Sequence, residues 1–191
     1  MIFDLLRDAR LFAFLQKCDE DLAADARAAG CRCGGVLHSA RYPRKPRGGP
    51  ADLGSDYDHR LSLCCAEEDC RRRTTPPSLR FLGRKVYLGA VVVLVSAMRH
   101  GATPGRVAKL RDRVGASRRT VARWRAWWRE AFAQSPFWKA ARGGFDAPVA
   151  ADLLPLSLIE RFRGDARDRL VAALRFLFPI TTSSARGAMA F

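Results

Sequence analysis

The sequence predicts a mainly α-helical chain with one small β module ahead of the helices, and three observations carry that expectation. From Gly83 onward the apolar residues recur at helical spacing, punctuated by turn formers. Between Cys31 and Cys70, five of the six cysteines crowd onto two short turn-like segments. Before both lies a charged amphipathic stretch. With 191 residues and 48% hydrophobic composition, the chain is long enough for one ordinary domain or two small modules, and too apolar for a disordered tail.

Taken in order, Asp4 to Ala29 reads as amphipathic helix, with Leu5, Leu6, Phe12, Leu15 and Leu22 as its apolar positions. Its acids outnumber its bases, so it is expected to pack on the rest of the chain or hold a partner. Gly30 ends it. Cys31-Arg32-Cys33-Gly34-Gly35 follows, and Tyr42 to Gly54 reads as a Pro- and Gly-rich loop carrying Arg44, Lys45 and Arg47. Arg60 to Leu63 is expected as a short strand running into Cys64-Cys65 and Cys70, then Arg71-Arg72-Arg73 and a break at Thr74-Thr75-Pro76-Pro77.

Tyr87 to Arg99 is apolar nearly all round, as a central helix would be. Thr103-Pro104 reads as a cap with proline at the first helical position, opening a helix with Val107, Leu110 and Val114. Gly115-Ala116 makes a turn, Ser117 caps the next helix, and that helix runs from Arg118 to about Phe132 before Pro136 ends it. Gly143-Gly144 marks a boundary. Two shorter helices follow, Leu153 to Phe162 and Asp165 to Phe178, with Pro179 as a stop and Thr181 to Phe191 as a frayed tail. The expected division is an acidic helical segment over 1–30, a cysteine module with its basic loop over 31–82, a trihelical unit over 83–135, C-terminal helices over 136–180 and a tail over 181–191.

Charge narrows the function. Lys and Arg number 34 against 19 Asp and Glu, a formal +15 with a pI near 10.7. A surplus of that size repels itself, and a polyanion relieves it; double-stranded DNA is the expected one. The apolar run Val86 to Met98 is too short for a bilayer and broken by Gly89 and Ser96, and the N-terminus lacks the basic-then-apolar order of a signal peptide. A cytoplasmic, nucleoid-associated location follows as an expectation, and in a reducing compartment close cysteine pairs point to metal rather than disulfides.

A structural zinc site needs four ligands in a tetrahedron. The expected ligands to Zn2+ are Cys31, Cys33, Cys65 and Cys70, on two turns. Cys64 is an alternative to Cys65, and His38 to one thiolate. Neighbours in an extended segment point to opposite sides, so only one of Cys64 and Cys65 should bind. Cys18 is expected as a small buried hydrophobe. With almost no apolar core of its own, the module would draw its folding free energy from the metal.

Residues 83–135 read as a helix-turn-helix whose third helix enters the major groove. Val121, Trp124, Trp128 and Phe132 form one apolar stripe, with Trp127 expected to face away from it. Ser117, Arg118, Arg119 and Arg123 stand at the reading end, and Ala122 and Ala126 let the backbone approach. Arg125 and Arg129 are expected at phosphates, with Arg44, Lys45, Arg47 and Arg71 to Arg73 gripping more of the backbone. Ser55, Tyr42, Tyr57 and Tyr87 are nucleophiles in principle, but none stands among a base and oxyanion donors, so no enzymatic activity is expected. One such module reads only a short half-site, which makes a homodimer attractive.

The order of Cys31-x-Cys33, Cys65 to Cys70, Arg71-Arg72-Arg73, Thr74-Thr75-Pro76 and an apolar helix resembles the zinc-ribbon start of several insertion-sequence transposases. Val107 to Trp128, with Ser117-Arg118-Arg119-Thr120-Val121 and Arg123-Trp124, is similar to homeodomain-like helix-turn-helix modules of transposases and resolvases. The resemblance covers Cys31 to Phe132 and implies zinc, DNA binding and a transposase or recombinase as partner. Those transposases continue into an RNase-H-like domain with three catalytic acids. About sixty residues follow Phe132, too few for that fold, and Asp146, Asp152 and Glu160 are spaced too tightly to replace its acids. The resemblance therefore implies an accessory or regulatory protein of a mobile element; the alternatives are a transcriptional repressor or a scaffold subunit of a recombination complex.

Overall fold

Asp8 opens the first long helix because its carboxylate accepts from the N–H groups of Arg10 and Leu11, two of the donors that a helix start leaves unpaired. The structure, a computed structural model, describes residues 2–82, 87–98 and 104–182. A short helix α1 (Ile2–Leu5) precedes α2 (Ala9–Ala28), and α2 buries Leu11, Phe12, Leu15, Asp19 and Ala23 along one face.

Five short strands follow: β1 (Leu37–Ser39), β2 (Tyr42–Pro43), β3 (His59–Arg60), β4 (Leu63–Cys65) and β5 (Arg73–Thr74). β4 is central in one antiparallel sheet, pairing Leu37 with Cys65 and His38 with Cys64 on the β1 side, and Cys64 with Arg73 on the β5 side. β2 and β3 form a separate two-stranded ribbon, Tyr42 opposite Arg60. The segment expected as plain loop from Tyr42 to Gly54 therefore starts in a strand. Further on it is tied to the core, where the Leu88 N–H donates to the Arg47 carbonyl over 3.1 Å. The strand expected at Arg60 to Leu63 is split between β3 and β4, and Arg60 is buried.

The helical part comprises α3 (Gly89–Ser96), α4 (Pro104–Val114), α5 (Arg118–Trp127), α6 (Pro136–Ala141), α7 (Leu156–Ile159) and α8 (Ala166–Leu177). Every residue of α3 is buried, as its all-round apolar sequence requires, and it packs against α5 and α8. The helix expected from Tyr87 starts at Gly89, while its expected end at Arg99, the Thr103 cap and the side chains of Val107 and Leu110 lie outside the described residues. Among the described residues no helix is long and apolar enough to cross a membrane.

Four expectations are corrected by packing. Pro136 does not merely stop a helix: it begins α6, where its missing N–H costs nothing, with the Ser135 hydroxyl accepting from the Trp138 N–H. The helix expected over Leu153 to Phe162 is a 3-10 turn (Ala151–Leu153) and the four-residue α7, because Pro155 interrupts the helical ladder between them. Thr181, expected in the tail, is buried, and its hydroxyl oxygen accepts from the Ser78 N–H; residues 183–191 of that tail lie outside the described residues. Trp127, expected to face outward, is buried edge-on against Trp128, since it stands one i+3 step from Trp124 at the border of a wide stripe.

The main core takes Leu11 and Phe12 from α2, Tyr57 and Phe81 from the segments between, Ala90 to Val95 of α3, Trp124, Trp128 and Phe132, and Leu170 and Leu174 from α8. It crosses the divisions expected at residues 30, 82 and 135. A second, much smaller cluster consists of Cys31, Leu37, Leu63 and Cys65, with Ala26 and Cys70 at its edge.

Candidate metal centre and nucleic-acid interface

The small cluster is built by two backbone turns. In the first, the Gly34 N–H donates to the Cys31 carbonyl at 2.8 Å and the Cys31 N–H to the Gly35 carbonyl at 3.0 Å, folding the chain back under Cys33. In the second, the N–H groups of Cys70 and Arg71 donate to the Glu67 carbonyl, and the Cys65 N–H donates to the Arg72 carbonyl. Arg71 holds a φ of +39°, left-handed backbone that a non-glycine residue adopts only where its surroundings impose it. The β1–β4 register sets the turns side by side.

The four sulfurs of Cys31, Cys33, Cys65 and Cys70 lie within 4.8 Å of one another. Cys31 and Cys70 are 3.7 Å apart and Cys33 and Cys65 3.5 Å. A tetrahedron of thiolates about 2.3 Å from a zinc ion has edges of about 3.8 Å. The closest pairs match that edge and the rest exceed it by at most an ångström. Three sulfurs also receive a backbone N–H from two residues ahead: Cys31 from Cys33, Cys65 from Glu67 and Cys70 from Arg72. Such donors stabilise negative charge on sulfur. The Cys33 amide chiefly lowers the Cys31 thiol to about 7, whereas burial raises Cys65 to about 12. A divalent cation would reverse the second direction, since a coordinating thiol is deprotonated outright.

The alternatives raised by the sequence are decided by register. Cys64 is paired with His38 on the sheet face opposite to Cys65, and its thiol faces the Arg71 carbonyl at 3.5 Å. Neither Cys64 nor His38 joins the cluster. Cys18 is half-buried against the main core. Gly35 is required by close approach: a Cβ there would lie 2.9 Å from the Cys65 sulfur and 2.5 Å from the Glu67 Cγ. Gly35→Ala should therefore lower metal affinity about 10- to 100-fold, as ligand-supporting changes do. Competition with a chromophoric chelator checks this, and an unchanged affinity would mean that the sulfur is free to move.

The second candidate surface is the exposed face of α5. The turn before it is fixed three ways. Gly115 takes a φ of +67° and donates its N–H to the Arg111 carbonyl; the Tyr87 hydroxyl donates to the Gly115 carbonyl at 2.7 Å; and Ser117 caps α5, accepting from the Thr120 N–H. Val121, Trp124 and Trp128 anchor one side of α5 in the core. Arg118, Arg119, Ala122 and Arg123 are exposed on the other, with no acid before Glu130. Arg125, expected at a phosphate, is half-buried and donates to the Met98 carbonyl at 2.7 Å; Arg129 is exposed beyond it, donating to the Arg125 carbonyl.

The other expected phosphate contacts are dispersed. Arg71, Arg72 and Arg73 are exposed beside the cysteine turns. Lys45 and Arg47 are exposed, while the Arg44 guanidinium lies 5.5 Å from the centre of the Phe81 ring.

One node was not anticipated. Asp19, on the apolar face of α2, accepts from the Ser78 hydroxyl at 2.5 Å, the Leu79 N–H at 2.6 Å and Arg80 Nε at 2.9 Å. The Asp19 and Arg80 side chains are 0% and 1% exposed. Arg80 also donates to the His59 carbonyl and lies 4.9 Å from the centre of the Tyr57 ring, while the buried Arg60 donates to the Pro76 carbonyl. Burial pushes the Arg60 guanidinium below its ordinary value, against the pull of Asp19. The node joins α2 to the β2–β3 ribbon and to the strand-like run into α3. A signal was present: Asp19 stands four residues after Leu15, where the stripe calls for an apolar residue.

The fold and site define a mainly helical chain with a small antiparallel sheet and a four-cysteine centre of metal-binding geometry. No protein-family model, no curated protein and no solved structure matches the chain.

Proposed function

We propose that the protein is a non-catalytic, zinc-stabilised, sequence-specific DNA-binding protein. The observation that carries this is the asymmetry of α5: tryptophans buried on one side, and Arg118, Arg119 and Arg123 exposed around small Ala122 on the other, behind a turn held by Gly115, Tyr87 and Ser117. Such a helix can enter a major groove, its forked guanidinium groups bonding guanine edges in bidentate fashion. The net charge of +15 supplies the phosphate attraction.

In this reading Zn2+ is held by the thiolates of Cys31, Cys33, Cys65 and Cys70. It supplies a fixed, closed, structural tetrahedron and no reactive position. The ribbon presents Arg71, Arg72 and Arg73 to phosphates, and α3, α4 and α5 form the trihelical helix-turn-helix. Service to a mobile element, with a transposase or recombinase as partner, rests on the sequence resemblance alone.

Enrichment of a genomic fragment library at two salt concentrations tests the reading. A recurrent site, retained at higher salt, is expected. Arg119→Ala and Arg123→Ala should each weaken that site by about 1–3 kcal/mol while leaving random DNA nearly unchanged. Equal losses on both would make these arginines phosphate contacts. Salt-sensitive binding with no recurrent site would leave a charge-driven scaffold in place of a sequence reader.

A further inference from the structure

At its C-terminal end α5 borders a cavity whose lining includes Arg125 and Arg129, the two arginines of this helix set apart from the base-reading end. The helix does not close there into regular α turns: Trp128 to Phe132 form a π turn, a widened turn frequent at functional sites, packed on the 3-10 turn at Ala151–Leu153. The space between these turns and the end of α3 is roughly 530 Å3, within the range of small-molecule sites.

Its lining is of two kinds. Leu153, Leu154 and Leu156 supply an apolar wall, and Leu153 is 54% exposed, an uncommon exposure for a leucine beside an otherwise packed core. Arg125 and Arg129 supply its cationic part. Arg125 is held in place by its bond to the Met98 carbonyl, and its charge is disfavoured first by burial and then by Arg129 four residues on. Among the described lining residues Asp152 is the single carboxylate beside the two arginines, which leaves one positive charge in excess. Ser96 and Ala97 at the end of α3 close the floor of the space.

We infer that this cavity binds a small organic monoanion with an apolar body, its carboxylate on Arg129 and Arg125 and its hydrocarbon against Leu153 and Leu154. A single negative charge balances the site, and the leucine wall gives no advantage to a bare phosphate.

Octanoate is the probe, titrated calorimetrically into the full chain without DNA, so that the outcome is independent of whether α5 reads bases. Saturable binding of one octanoate per chain is expected, with octan-1-ol at least about 10-fold weaker, since a charge-assisted pair is lost. Arg129→Gln should weaken octanoate about 10-fold or more and leave octan-1-ol unchanged. Leu153→Asp should weaken both. Arg129 and Leu153 are exposed, so each variant should keep the parent's thermal unfolding midpoint; if one does not, the other carries the test. No saturable binding, or equal affinity for octanoate and octan-1-ol that Arg129→Gln leaves unchanged, overturns the inference.

Discussion

Cys65→Ser, or a strong chelator, should unfold the cysteine module while the tryptophan core survives. The cluster beneath the sulfurs contains two large apolar side chains, Leu37 and Leu63. At roughly 1.5–3 kcal/mol each, their burial cannot by itself order two turns and three strands. A structural zinc site contributes about 10–16 kcal/mol to folding at neutral pH. Cys65 is the most consequential ligand to lose: it is buried, it is paired with Leu37 across β1, and its N–H closes the second turn. The expected result is one zinc per parent chain by elemental analysis, none in the variant, and rapid proteolysis at Arg32 and at Arg71 to Arg73 once metal is gone. All four tryptophans lie in the other core, so their fluorescence should change little. A variant with full metal content and unchanged proteolysis would remove Cys65 from the ligand set.

Asp19→Ala should destabilise the main fold by about 3–5 kcal/mol, because it strands the Arg80 guanidinium in the interior and leaves the Ser78 hydroxyl and Leu79 N–H without their acceptor. Arg80→Met alone should cost a similar amount by stranding the carboxylate. The double change Asp19→Leu with Arg80→Met should recover part of the loss, since no charge is then left buried, while the Ser78 hydroxyl and Leu79 N–H still lack their acceptor. Urea unfolding followed by tryptophan fluorescence measures all three. A loss below about 1 kcal/mol for Asp19→Ala would mean that water reaches the pair and screens it.

These two experiments separate what the chain's local pattern encodes from what its long-range contacts add. Helix starts and stops are short-range matters: Asp8, Ser117 and Asp165 cap helices through donors two or three residues away. The Val121, Trp124 and Trp128 stripe and the opposed arginines of α5 follow from helical period alone. The cysteine pairs were visible by proximity and glycine content. In contrast, Pro136 reads equally as a stop or a start until Ser135 and Trp138 are seen to bond, and Trp127 sits at a stripe border that only packing assigns.

By itself, then, the sequence determined a mainly helical chain with a small β module, two cysteine turns, and a basic helix face backed by tryptophan, because periodicity, capping and turn chemistry act over a few residues. Tertiary structure alone decided that Cys65 and not Cys64 faces the other thiols, through the one-residue register that pairs Leu37 with Cys65. It decided that Asp19 on one helix meets Arg80 sixty-one residues later, and that α2, α3, α5 and α8 share a single core. Such pairings depend on which surfaces exclude water together, and that is a property of the whole chain rather than of any segment's spacing.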